Sequence, residues 1–216
     1  MTSNVQNRKD IRESFAALLV AAIEGTGKPA QKVYPYRVSD FGGRKAVCVL
    51  ASAPANRSKQ AQVTRVSSRV RVDVHNFVWY ADQGEQSSNS PAAGASVVIR
   101  IPNTENYQVG DVVTVEDASH IERATVTAVT TGQSITVNTL VYSYTRPVVH
   151  WWTERDAEDR LDWMEQEVSK VVMDNDTNET WAQVSFAGDH SHDDLTIGGK
   201  PYLHEIIHLE FQLHSD

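Results

Sequence analysis

Apolar residues recur at helical spacing over residues 8–24, where Ile11, Phe15, Leu18, Leu19, Ala22 and Ile23 make one stripe. Asn7 is placed to cap this helix, and Gly25 in G-T-G-K to stop it. A Pro-containing link with Val33, Tyr34 and Tyr36 comes next, and then a turn at F-G-G-R. Residues 44–51, centred on A-V-C-V-L, are continuously apolar, as a strand interior to a sheet is. Residues 70–80 alternate strictly: Val70, Val72, Val74 and Asn76 point one way, Arg71, Asp73, His75 and Phe77 the other. A second stripe, Leu161, Met164, Val168, Val171 and Val172, predicts a helix over 156–173, with Thr153 and Asp156 near a capping-box arrangement. Residues 181–187 alternate again, and Gly198-Gly199 supplies a two-residue hairpin turn.

Between these host elements the character changes. Residues 82–95 lack periodicity and have linker composition. From 96 to 149, Val, Thr and Ile dominate and turn signals recur, with strands expected at 97–101, 112–115, 124–129 and 134–139, followed by V-Y-S-Y-T at 141–145. This reads as a small β-barrel or sandwich inserted into a host domain made of residues 1–81 and 150–216. The fold class expected is α+β: a mixed sheet of about four to five strands packed by two helices, plus the inserted all-β module.

Residues 201–216, P-Y-L-H-E-I-I-H-L-E-F-Q-L-H-S-D, admit two readings. As a helix they contain H-E-x-x-H, with His204, Glu205 and His208 in the positions of a zinc hydrolase and His214 as a third ligand. As a strand they place Leu203, Ile207, Leu209, Phe211 and Leu213 on one face, with Glu205 the only intruder, and His204, Ile206, His208, Glu210 and His214 on the other. Gly-Gly-Lys-Pro upstream and the period of two favour the strand, and Phe211 stands where the extended zinc signature needs a glycine. On a strand His204 and His208 lie about 13 Å apart, beyond the span of one zinc ion. A second cluster, His190, His192, Asp193 and Asp194, reads as a solvated turn between strands. No metal or cofactor is therefore expected, and no catalytic constellation.

Charge is unevenly divided. Residues 1–73 hold 13 Lys/Arg against 5 Asp/Glu, and residues 74–216 hold 7 against 23. A molecule of this kind can dock its basic side on the acidic side of an identical neighbour, head to tail. The basic side includes a long polar loop at 52–69 with Arg57, Lys59, Arg65 and Arg69. It has no interleaved aromatics, which argues against nucleic-acid binding and for ordering against a protein partner. The acidic side includes the second predicted helix, with Asp156, Asp159, Asp162 and Glu165. Together with His204 and His208, these are the candidate assembly-interface residues. Cys48 is the one cysteine, a small buried hydrophobe by its neighbours, so no intrachain disulfide forms. No apolar run reaches the ~18 residues of a membrane span, and the N-terminus lacks the order of a secretory signal.

With residues 82–149 set aside, the order of elements is helix, strand, basic loop, strand, helix, strand, hairpin, strand. In this form the chain resembles the tail-terminator (lambda-type minor tail protein) family of long-tailed bacteriophages. The resemblance rests on the opening helix with Val33-Tyr34, the pair A-V-C-V-L and V-R-V-D-V, the helix D-R-L-D-W-M-E-Q-E-V, and the ending W-A-Q-V-S-F…I-G-G-K-P-Y-L-H-E-I-I-H-L-E-F. It implies a structural virion protein, not an enzyme, forming a hexameric ring at the head-proximal end of the tail and assembled in the host bacterial cytoplasm. Such a ring stops tail-tube polymerisation and offers the head-joining surface. The implied partners are its own copies, the tail-tube protein and a head-completion or neck protein, with DNA only passing through the lumen and no membrane. A head-completion or neck protein is the nearest alternative, and a zinc-dependent hydrolase the alternative from another class.

Overall fold

The computed structural model describes residues 8–52, 69–80 and 84–214. In chain order its elements are α1 (Arg8–Ile23), β1 (Lys32–Tyr34), β2 (Ala46–Ser52), β3 (Arg69–Trp79), β4 (Glu85–Gln86), β5 (Gly94–Ile99), β6 (Val112–Glu116), β7 (Ile121–Thr130), β8 (Ser134–Leu140), β9 (Val148–His150), α2 (Glu154–Asp174), β10 (Gln183–Phe186), β11 (Ser191–Ile197) and β12 (Lys200–Gln212). The fold is α+β and mostly β, with two helices and two sheets among the described residues. The chain divides into two units: Met1–Trp79 with Glu158–Asp216, and Tyr80–Ala157.

The first unit carries the mixed sheet, ordered β1-β2-β3-β12-β10, with β11 also on β12. Among the described strands of this sheet, only β1 and β2 run parallel. Its backbone is the β3–β12 ladder, in register from Tyr202 opposite Trp79 to Gln212 opposite Arg69. Six strands form where four to five were expected: β1, in the stretch read as a link, adds one at the β2 edge, and two short strands share one edge of β12. β11 pairs with residues 200–206 and β10 with 209–212. Between them, residues 187–190 lie opposite Ile207 and His208 alone, so the partner strand bulges there. Gly198 and Gly199, at φ 61° and 77°, make the predicted hairpin turn.

One face of this sheet packs against helix. The pairs Val70–Phe211, Val72–Leu209 and Val74–Ile207 line it, and all six side chains are buried. Phe15 of α1 meets Phe211 edge-on at 5.4 Å, and Trp181 lies 5.0 Å from Phe211 and 6.2 Å from Phe15. Trp181 Nε1 donates to the Asn175 carbonyl just past α2 at 2.9 Å, so the indole is buried without losing its hydrogen bond. These three rings tie α1, the connection from α2 to β10, and β12 into one core. On α2 the buried stripe is Ala157, Leu161, Met164, Val168, Val171 and Val172, the predicted set plus Ala157. Thr153 and Asp156 form the reciprocal cap: the Thr153 N–H donates to Asp156 Oδ2 at 3.0 Å, and the Asp156 N–H to Thr153 Oγ1 at 3.3 Å.

The second unit is a six-stranded sheet, β4-β9-β6-β7-β8-β5, curled into a half-barrel. Ile99, Val113, Val115, Ile135 and Val137 fill its concave side, and a register shift between Val126 and Ala128 adds curl. The linker expected at 82–95 is corrected: from residue 84 it belongs to this sheet, with β4 and the start of β5 inside it. Ser87 is fully buried and its N–H donates to the Pro147 carbonyl at 2.8 Å. Asn89 accepts from the Arg100 N–H and donates to the Val98 carbonyl. Short polar side chains replace ladder bonds here, which orders a stretch without apolar periodicity.

Phe211→Ala removes the ring shared by both partners of the aromatic core. It is expected to destabilise the helix-bearing unit by about 3–5 kcal/mol, read as the loss of the 222 nm helical signal in urea. Thr153→Ala is expected to cost about 1 kcal/mol by the same measurement, through the lost cap.

Candidate functional site

Alternation along β12 separates the H-E-x-x-H residues. Glu205 lies on the helix-covered face, and His204 and His208 lie on the other. They cannot converge on one ion, so the helical zinc reading has no geometric basis.

On the far face, His204 is only 6% exposed. It stacks on Phe77 at 4.4 Å and on His75 at 5.2 Å, with His75 Nδ1 3.0 Å from His204 Nε2. One imidazole donates and the other accepts, which requires both to share at most one proton on that contact. Burial, and then the neighbouring His75, push the His204 pKa down to about 4. His204 is therefore a neutral interior group rather than a surface one. His208 is half-buried and its Nδ1 sits 2.6 Å from Asp73 Oδ1, with Arg71 Nε 3.1 Å from the same oxygen. Arg69 pairs with Glu210 at 2.8 Å on the same face. Arg57, Lys59 and Arg65 lie outside the described residues. On α2, Asp156 serves the helix cap and pairs with Arg123, while Asp159 and Asp162 are exposed and Glu165 is half-buried.

The helix-covered face holds the chemistry that the sequence pattern concealed. Glu205, 1% exposed, stands in register with Asn76 of β3, and Asn76 in register with Cys48 of β2. Asn76 Nδ2 donates to Glu205 Oε2 at 2.9 Å. The other oxygen, Oε1, is 3.2 Å from His192 Nε2 and 4.0 Å from His190 Nδ1. His190 Nδ1 in turn is 2.8 Å from Glu165 Oε1 on α2. Four segments thus send side chains to one place: α2, the bulge at 187–190, β11 and β12. The turn expected at 190–194 is corrected on this point. His192, Asp193 and Asp194 belong to β11, and the histidines face Glu165 and Glu205 rather than Asp193 and Asp194.

Burial raises the Glu205 pKa above the usual carboxylate range. The bonds from Asn76 and His192 oppose the shift and the charge of Glu165 adds to it. Burial, reinforced by Glu205, also drives the Cys48 thiol far up, so it is no nucleophile. Glu165, His190 and Glu205 each offer a ligand atom within 4.8 Å of the others, the one such group among the described residues. In the other unit, a cleft of about 460 Å³ is lined by Glu116, Asp117, Arg146 and His150, and Arg146 takes the uncommon φ of 46°.

In chelator-treated protein, Asn76→Ala is expected to cost about 1–3 kcal/mol by urea unfolding, because it strands a buried carboxylate. Glu205→Gln is expected to cost less than Asn76→Ala. It keeps an acceptor for Asn76 and leaves no charge to bury. The reverse order would show that the carboxylate stabilises the core by a route other than Asn76.

Compared with models of protein families, with curated proteins and with solved structures, the chain matches none.

Proposed function

We propose that the chain is a structural, non-enzymatic protein of a bacteriophage tail: a tail terminator that closes into a homo-oligomeric ring, caps the tail tube and presents the head-joining surface. The observation that carries this reading is the make-up of the first unit. The four stretches that resemble the tail-terminator family lie on both sides of a 78-residue insertion, yet they pack into one sheet with two helices. Among the described residues, the insertion contributes no strand to that sheet.

Surface chemistry supports self-association. The outward face of α2 is acidic, with Glu158, Asp159 and Asp162 exposed. Trp163 stands among them, 39% exposed, with Arg160 at 5.9 Å from its ring. An aromatic anchor ringed by charge is a good centre for a protein interface. The basic residues of the first 73 positions are its complement on a neighbouring copy, and charge of this kind sets register and encounter rate. DNA passing through such a ring meets like charge wherever acidic α2 faces the lumen, so it does not stick.

The deciding experiment mixes the purified protein with polymerising tail-tube protein and follows tube length by electron microscopy. Rings on tube ends and shorter tubes at higher protein concentration are expected. Binding to a neck complex with no effect on tubes would move the protein to the head side of the joint. Unchanged tubes and no ring by native mass spectrometry would remove the reading altogether. Asp159→Lys with Asp162→Lys is expected to weaken ring closure by about tenfold or more, and ring stability is expected to fall as salt rises.

A further inference from the structure

We propose that Glu165, His190, His192 and Glu205 form a binding site for one divalent first-row transition ion, of which Zn²⁺ is the best fit. The proposal is independent of the ring: it concerns the interior of the first unit.

The donor set is right for such an ion. Two imidazoles and two carboxylates suit Zn²⁺ and its neighbours rather than Ca²⁺ or Mg²⁺, which take oxygen alone. The spacing is right as well. Ligand atoms at about 2.1 Å from a tetrahedral ion lie about 3.4 Å from one another. Here His190 and Glu165 are 2.8 Å apart, His192 and Glu205 3.2 Å, and His190 and Glu205 4.0 Å. Those three separations bracket the required value. The ligand atoms of Glu165, His190 and Glu205 all lie within 4.8 Å of one another; His192 stands outside that trio, touching Glu205 alone of the three, and completes the set by rotation of its exposed side chain.

The surroundings have the form of a supporting shell. Glu205 is 1% exposed, and Asn76 holds its Oε2 while Oε1 is aimed at the histidines. Metal-ligating carboxylates are commonly held in this way, by a hydrogen bond from a buried neighbour. Burying one carboxylate beside another is costly unless a cation accompanies them. Among the described residues, Glu205 and Glu165 make their ion pairs with histidines and with no lysine or arginine. Access is from solvent, since the Glu165, His190 and His192 side chains are 38%, 26% and 65% exposed. Bound there, the ion would pin the bulge at 187–190 and the β11–β12 hairpin to α2. Its role is therefore structural, with no substrate position implied.

The test uses tag-free full chain, stripped with a chelator and titrated with Zn²⁺ by calorimetry. One saturable site per chain is expected. His190→Ala and Glu165→Gln reach the site from its solvent side, and each is expected to weaken binding by at least about tenfold, as is Asn76→Ala through the lost hold on Glu205. His208→Ala is expected to leave affinity unchanged. X-ray absorption at the zinc edge of the loaded wild type should read nitrogen and oxygen neighbours with two imidazoles and no sulfur, a readout that needs no variant to fold. The site is overturned by the absence of saturable binding, by equal binding in the wild type and the Glu165 and His190 variants, or by an edge spectrum without histidine.

Discussion

A strand has two faces, and along β12 that leaves Glu205 no choice. Phe211 must meet Phe15 and Trp181, Leu209 must lie beside Val72, and Ile207 beside Val74. Every second residue is then drawn inward, Glu205 included. Shifting the register by one would free the carboxylate but send the apolar row to the opposite side, at ~1.5–3 kcal/mol for each large side chain. The core therefore holds the carboxylate in place, and the fold answers with Asn76 at the matching position of β3. A hydrogen bond from a neutral donor to a buried charge is worth about 1.5–3 kcal/mol, which offsets only part of the several that desolvation costs. The remainder falls to the histidines and to whatever accompanies them.

The bulge at 187–190 makes that answer available. An uninterrupted β10–β11 strand would run straight along β12 and keep its side chains on fixed alternate faces. Extra residues break the alternation, so His190 leaves the ladder and reaches Glu165 on α2. α2 consequently has three different surfaces: a buried apolar stripe, an exposed acidic face around Trp163, and one carboxylate turned to the sheet. Glu165 is half-buried because it belongs to the last of these, and of the candidate carboxylates on α2 only Asp159 and Asp162 face freely outward.

Much of this is legible in the chain. Both helices, β2, β3 and β12, the Gly-Gly turn and four strands of the insertion emerge from period and punctuation, because apolar burial imposes those periods directly. Asn76 and Glu205 are each visible as the polar exception on an apolar face. Their standing side by side is not, since pairing requires the register of two strands far apart in sequence. The burial of His204 is hidden for a related reason: the far face has its own apolar cover. Phe41 packs on Phe77 at 5.0 Å and on Tyr202 at 5.4 Å, from a segment with no regular period. Residues 84–95 pass for linker because side-chain hydrogen bonds, unlike apolar stripes, leave no periodic trace.

The β3–β12 ladder joins residues far apart in sequence, such as Asn76 and Glu205, 129 positions from one another. On a growing polypeptide this separates two timetables. The half-barrel, contiguous from Tyr80 to Ala157, has all its strands once α2 begins to emerge. β3 by then has been waiting, its inner edge unpaired, and goes on waiting until β12 has been made. The insertion lengthens that wait by its own translation time while separating β3 from other nascent segments. The vulnerable moment of this molecule thus comes before it is whole, and it lies at the edge of β3.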